Sequence, residues 1–232
     1  MYPYGIFRVG TGLSAKRSNS ETVLQAQPVL QRKRSGNKVA YLTFDDGPIP
    51  EVTPQVLAIL ARYKVKATFF MVGENIDKHP EVFAQVVQAG HSIGNHTYNH
   101  LKGWRTPFRA YMDNVQKCEQ TITNHQSPKT ELIAPLRQRI TNLFRPPYGK
   151  ATLRQRRALH HLGFQLIYWD ILTRDYDASV TPEAMLRLIQ RETRPGSIIN
   201  FHDSLKSNER MLAVLPQVIE WLLSQGYTLR AL

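Results

Sequence analysis

The segment YLTFDDGP, residues 41–48, ends an apolar run on two adjacent carboxylates, Asp45 and Asp46, followed by a Gly-Pro turn. Neighbouring like charges repel, and neither can be buried without a partner. Candidate partners lie further along the chain. HTYNH places His96 and His100 four residues apart; on a helical turn two imidazoles at this spacing project from one face and can share a metal ion. Two imidazoles and one carboxylate form a three-ligand site with open positions, as in hydrolytic or oxygen-activating metal centres. Adjacent side chains point apart, so one aspartate can ligate while the other faces the reacting water. In FRPPYG, residues 144–149, Arg145 can hold a carboxylate through paired hydrogen bonds. The rigid Pro-Pro-Tyr-Gly loop can aim a backbone N–H at developing negative charge. GSIINFHDS, residues 196–204, ends another apolar run on His202, which can protonate a leaving group. No activated Ser or Cys is evident, and no covalent intermediate is required.

These residues follow apolar runs suited to buried parallel strands at 39–44, 66–71, 91–95, 164–169, 196–201 and 227–231, with a weaker run near 143–145. Helical stripes lie between them: Val56, Leu57, Leu60 and Tyr63; Val82, Phe83, Val86 and Val87; Tyr111, Val115, Cys118 and Ile122; Leu215, Val218, Ile219 and Leu222. Thr181-Pro182-Glu183 reads as a helix start. Seven strands alternating with six or seven helices predict a single parallel α/β domain, barrel or doubly wound. Both architectures bind ligands at the carboxyl ends of their strands, where the polar residues above fall. His91, at the opposite end of its strand, is read as structural, and His125, His160 and His161 as solvent-exposed. Residues 124–142 break the rhythm and are read as an insertion with one short helix.

A chain of 232 residues is long enough for a substantial core, and its 42% hydrophobic content is ordinary for a globular protein. Its single cysteine, Cys118, excludes an intramolecular disulfide and is read as a small buried hydrophobe. The net charge of +12 is concentrated in two stretches. Residues 1–37, read as a variable basic arm, precede the domain at 38–232; up to Lys38 only Glu21 opposes Arg8, Lys16, Arg17, Arg32, Lys33 and Arg34. The second stretch runs from Lys129 to Arg157. Such charge attracts acidic glycans, phospholipid surfaces or nucleic acid, but no nucleic-acid-binding motif is present and nucleic acid is not an expected partner. No apolar run is long enough to span a membrane, and the first residues lack the pattern of an export signal. The chain as written therefore reads as cytoplasmic, with cell-envelope association as the alternative.

TFDDG, HTYNH, RPPYG, YWDILTRDYD and IINFHDS, in this order, resemble the polysaccharide deacetylase family (NodB-like, carbohydrate esterase family 4) from about Lys38 onward. The resemblance implies a distorted (β/α)7 barrel, in agreement with the seven strands counted above. It implies Asp45 as general base and Asp46, His96 and His100 as ligands of a divalent metal, Zn²⁺ with Co²⁺ or Ni²⁺ as alternatives. Arg145 would orient Asp45, the backbone N–H of Tyr148 would help hold the oxyanion, and His202 would be the general acid. The implied activity is removal of N-acetyl groups from N-acetylglucosamine-containing glycans, peptidoglycan or chitin-like. The alternatives are hydrolysis of another acyl group, on acetylxylan or a small amide, and an inactive glycan-binding barrel. Two departures stand out. The family's Asp-x-x-Asp-Trp motif, aligned on Asp175, has Leu172 at its first aspartate and Tyr176 at its tryptophan, so Asp170 is expected to take over support of His202. Asn200 replaces an apolar residue expected in the acetyl pocket, where a polar group could admit a different acyl group. Trp104, just beyond the His pair, reads equally as a sugar-stacking platform or as a packing residue.

Overall fold

The structure, a computed structural model, describes residues 36–126 and 140–232. Its centre is β1 (Val39–Asp45), whose seven residues are all buried. A strand covered on both faces reads as a continuous apolar run, and this one pairs in parallel with three neighbours. On one side lie β2 (Thr68–Met71), β3 (Ser92–Asn95), β4 (Ile140–Phe144) and β5 (Gln165–Leu166); on the other lie β7 (Ile198–His202) and β6 (Ile171–Leu172). The short β8 (Thr228–Leu229) pairs with the first residues of β1. All pairings are parallel, and the sheet curls into a half-barrel within one domain.

The expected parallel strand-and-helix architecture is present as this half-barrel, with eight short strands among the described residues where seven were expected. The difference lies at 164–172. The apolar run that reads as one strand breaks after Leu166, and the chain resumes pairing at Ile171 on the opposite edge of the sheet. Between them the Ile167 N–H bonds Phe144 O of β4, beside one edge strand, and the Asp170 N–H bonds Ile198 O of β7, beside the other. Residues 167–170 thus span the gap between the two edge strands.

Alternation along β1 sorts its side chains. Ala40, Leu42 and Phe44 join the large apolar layer beneath α1 (Thr53–Arg62), α3 (Pro80–Gln88), α4 (Phe108–Gln126), α6 (Pro182–Glu192) and α7 (Asn208–Ser224). Val39 and Tyr41 belong to a second cluster with Phe70, Leu143, Ile167 and Ile198, which fills the barrel interior. Thr43 and Asp45 continue that inward series. All four predicted helical stripes form: Val56, Leu60, Val82, Phe83, Val86, Tyr111, Val115, Cys118, Ile122, Leu215, Val218, Ile219 and Leu222 are buried. Thr181 caps α6, its Oγ1 accepting from the Ala184 N–H at 3.2 Å. His91 is buried and accepts the Ala67 N–H at its Nδ1, 3.1 Å. His125, His160 and His161 are exposed, as expected; His125 also pairs with Asp77 at 2.9 Å and packs edge-on against Phe83. Within the stretch read as an insertion, α4 runs on to Gln126 and β4 begins at Ile140; the short helix expected there, like the arm up to residue 35, falls outside the described residues.

Gly94 in β3 lies against the Phe70 ring. A Cβ added there would meet Phe70 Cδ1 at 2.5 Å, and that ring is fully buried. Gly94→Ala is expected to lower unfolding free energy by about 1–3 kcal/mol, read from urea denaturation midpoints, as overpacked cores generally do.

Candidate active site

The carboxyl ends of β1, β3, β4 and β7 converge on one mouth. Asp45, 2% exposed, is the last residue of β1 and sits in register with His202 of β7 and Phe70 of β2. Its Oδ1 accepts from Arg145 Nη1 at 2.7 Å, and its Oδ2 accepts from Asn200 Nδ2 at 3.0 Å. Arg145 has no exposed surface. Its Nη1 also donates to Thr43 Oγ1 at 2.8 Å and to Asn200 Oδ1, its Nε to Ile167 O at 3.2 Å and its Nη2 to Tyr168 O at 3.0 Å. The guanidinium rests 4.0 Å from the Phe70 ring centroid. Burial pulls the Arg145 pKa below its ordinary value, against the raising influence of Asp45.

Asp46 leaves the strand with φ 85°, in the left-handed region, so it turns away from Asp45. Its turn is pinned by the fully buried Asp203, whose Oδ1 accepts from the Gly47 N–H at 3.0 Å and whose Oδ2 accepts from the Thr53 hydroxyl at 2.7 Å. Burial pushes the Asp203 carboxyl up to about 8 against these two donors. Only glycine fits at position 47, where a Cβ would lie 2.1 Å from Asp203 Oδ2.

His96 and His100 do come together, with ring centroids 5.1 Å apart, but not on a helical face. The segment is a loop in which Thr97 (φ 64°) and His100 (φ 53°) are left-handed. It is held by the Thr97 N–H on Asn95 Oδ1, by the Tyr98 and Asn99 N–H groups on Asn114 Oδ1, and by the Leu101 N–H on Thr97 Oγ1. His96 Nδ1 is 2.7 Å from Arg145 O, a carbonyl that can only accept, so Nδ1 carries the hydrogen and Nε2 presents its lone pair. Burial lowers the His96 pKa to about 4, against Asp45, which keeps the ring neutral near pH 7.

Asp46 Oδ1 lies 3.2 Å from His100 Nε2 and 3.7 Å from His96 Nε2, yet it is buried and makes no hydrogen bond of acceptable geometry. An orphaned buried carboxylate oxygen facing two imidazole nitrogens fits a cation between them. The ligand atoms of Asp46, His96 and His100 all lie within 4.8 Å of one another. Burial would raise the Asp46 carboxyl, but His100 beside it and the charges of His202 and His96 hold it well below the usual carboxylate range.

Residues 32–167 match the family model described as polysaccharide deacetylase. The chain belongs to the polysaccharide deacetylase family. It is 32% identical over 195 residues to a peptidoglycan-N-acetylglucosamine deacetylase of Bacillus cereus, covering 83% of this chain and 85% of the relative. It is 30% identical over 224 residues to a chitooligosaccharide deacetylase of Azorhizobium caulinodans, covering 90% and 97%. A solved peptidoglycan N-acetylglucosamine deacetylase in complex with 4-naphthalen-1-yl-N-oxidanyl-benzamide superposes with TM-score 0.79 at 27% identity, covering 87% of this chain and 89% of that one.

The part of this polysaccharide deacetylase chain beyond the family-model match carries His202, and here two expectations are corrected. His202 Nδ1 is bonded to Asp175 Oδ1 at 2.7 Å, and its backbone N–H donates to Asp175 Oδ2 at 2.7 Å. Asp170 instead accepts from Ser197 Oγ at 2.8 Å and the Ile198 N–H at 2.7 Å, at the start of β7 rather than its end. Support of His202 therefore comes from the aspartate that the family motif retains, not from Asp170. Burial would lower the His202 pKa, but Asp175, with Asp45 and Asp46 beyond it, raises it to about 9. Asn200 is fully buried and committed to Asp45, Arg145 and Thr43, so it does not offer a polar group to an acyl pocket. Tyr148 sits in a 3₁₀ turn, Pro147–Gly149, with φ 59°, and its ring is 4.7 Å from that of His100.

One equivalent of Zn²⁺ per chain is the expected result of equilibrium dialysis. Alanine at Asp46, His96 or His100 should each weaken retention at least about tenfold.

Proposed function

We propose that this chain is a metal-dependent hydrolase that removes N-acetyl groups from N-acetylglucosamine units of a glycan and releases acetate. The observation that carries the reading is the orphaned Oδ1 of Asp46 beside two imidazoles, with the Arg145-bound Asp45 and the Asp175-bound His202 in the same mouth. The two relatives named above, deacetylases of peptidoglycan and of chitooligosaccharides, support it. The catalytic unit is taken as residues 38–232, with residues 1–37 as a basic arm.

Asp46, His96 and His100 would hold the divalent cation, Zn²⁺ being the choice that two nitrogens and one oxygen favour. When bound, such an ion supplies Lewis acidity, polarising the acetyl carbonyl and acidifying a water. Asp45 is the base. Arg145 and Asn200 each hold one of its oxygens, which fixes the plane of the carboxylate and leaves its remaining lone pairs to take the proton of the attacking water. The Tyr148 N–H, on its rigid turn, helps hold the oxyanion that forms as the water oxygen joins the carbonyl carbon. His202 is the acid. Asp175 fixes its Nδ1–H, so Nε2 carries the proton that the amide nitrogen receives as the C–N bond breaks. Acetate and the free amino sugar separate.

The deciding assay is acetate release from N-acetylated chitooligosaccharides, with chelator and with added Zn²⁺. Release should stop with chelator and return with metal, and Asp45→Asn should lower kcat by about 10²–10⁴-fold. A metal-loaded protein that deacetylates acetylxylan but no N-acetylglucosamine glycan would overturn the reading. The acid must be protonated to work, so activity should hold below the His202 pKa and fall as pH rises through about 9. In Asp175→Asn the basic limb of kcat/KM should move toward acid by about one unit or more, because the largest raising influence is gone.

A further inference from the structure

The mouth of the site is edged by aromatic rings, and each ring carries a lysine. Tyr148, 50% exposed, packs 5.5 Å from the ring of Trp104, 41% exposed, and 4.7 Å from that of His100. Lys102 Nζ stands 5.4 Å from the Tyr148 centroid and Lys150 Nζ 5.3 Å from that of Trp104. Beside the other half of the site, Tyr176 lies edge-on to His202 at 5.0 Å, with Lys206 Nζ 5.7 Å from its centroid. All three lysines are exposed, and none is in an ion pair with a described carboxylate.

A cation over an exposed aromatic face gains about 0.5–1 kcal/mol, which restrains the ammonium without neutralising it. Of the acidic groups of the mouth, Asp45 pairs with Arg145 and Asp175 with His202, and Asp46 faces inward to the two imidazoles that would share a cation with it. The rim therefore presents uncompensated positive charge next to platforms on which pyranose faces can stack. A neutral glycan would use the platforms alone.

We propose that Lys102, Lys150 and Lys206 select a glycan whose sugars beside the reacting N-acetylglucosamine carry carboxylates, such as the lactyl carboxylates of a muramic-type chain, over a neutral chitin-like chain. The inference rests on the deacetylase reading for where the substrate sits. The net charge of +12 adds attraction at long range, which salt screens.

Calorimetric binding to the metal-loaded protein tests it with three oligosaccharides of equal length: a neutral N-acetylglucosamine oligomer, a muramic-type oligomer with free carboxylates, and the same oligomer with those carboxylates methyl-esterified. The free acid should bind about three- to tenfold more tightly than its ester at low salt, the range that exposed ion pairs supply. That preference should shrink toward one at high salt and in the Lys102→Gln, Lys150→Gln, Lys206→Gln triple variant, with circular dichroism confirming its fold. Equal Kd values for acid and ester in the unaltered protein overturn the proposal, and so does a preference that survives in the triple variant. Acetate release from the neutral oligomer, measured in the same samples, reads the deacetylase assignment separately. Release with equal Kd values removes only the lysine rim, whereas a charge preference without release from any of the three removes only the chemistry.

Discussion

The ion pair between Arg145 and Asp45 is the constraint on which the rest of the site depends. A guanidinium with no exposed surface loses its hydration, at a penalty of several kcal/mol that attraction to one carboxylate does not offset unless the remaining donors are also met. Here they are met by Thr43, Asn200 and the carbonyls of residues 167 and 168, with Phe70 beneath the plane. Each partner brings a further requirement. Phe70 needs the missing side chain of Gly94, and the two carbonyls need the chain to cross between the sheet edges at that point. The main-chain carbonyl of Arg145 in turn fixes the tautomer of His96. One residue thereby sets both the orientation of the Asp45 carboxylate and the lone pair that His96 offers at Nε2.

Around that pair, ionisable groups crowded into one mouth are driven to different states by their surroundings. Burial keeps His96 neutral, neighbouring imidazoles hold Asp46 ionised, and Asp175 keeps His202 protonated. The same kind of side chain presents a lone pair at His96 and a proton at His202, because only one of the two histidines has a carboxylate on its Nδ1.

The strand ends were legible in the sequence because fully buried parallel strands leave unbroken apolar runs, and the helical stripes because their faces repeat every third or fourth residue. Asp45, Asp46, His96, His100, Arg145 and His202 all stood directly behind such runs. What was not legible follows from irregular backbone. Strand parity placed Asp170 on the face of residue 172, but 167–170 is a crossing rather than a strand, and Arg174, with φ 58°, turns the chain so that Asp175 reaches His202. His96 and His100 meet through left-handed loop residues, which a spacing of four cannot distinguish from a helical turn. Asn200 could have been read further: in β7 it shares a face with Ile198 and His202, which points it inward toward Asp45.

The crossing at 167–170 has one more consequence. A curled sheet with two unjoined margins offers each of them as a template for a strand from another molecule, the usual route to edge-to-edge aggregation. Here the marginal strands β5 and β6 are two residues each, and the intervening chain prolongs their pairing by a single N–H on either side, Ile167 to Phe144 O of β4 and Asp170 to Ile198 O of β7, before it leaves the sheet. The backbone that gives two carbonyls to Arg145 thus also keeps both margins too short to template a foreign strand, so sequence change in this stretch is constrained by solubility as well as by the Arg145–Asp45 ion pair.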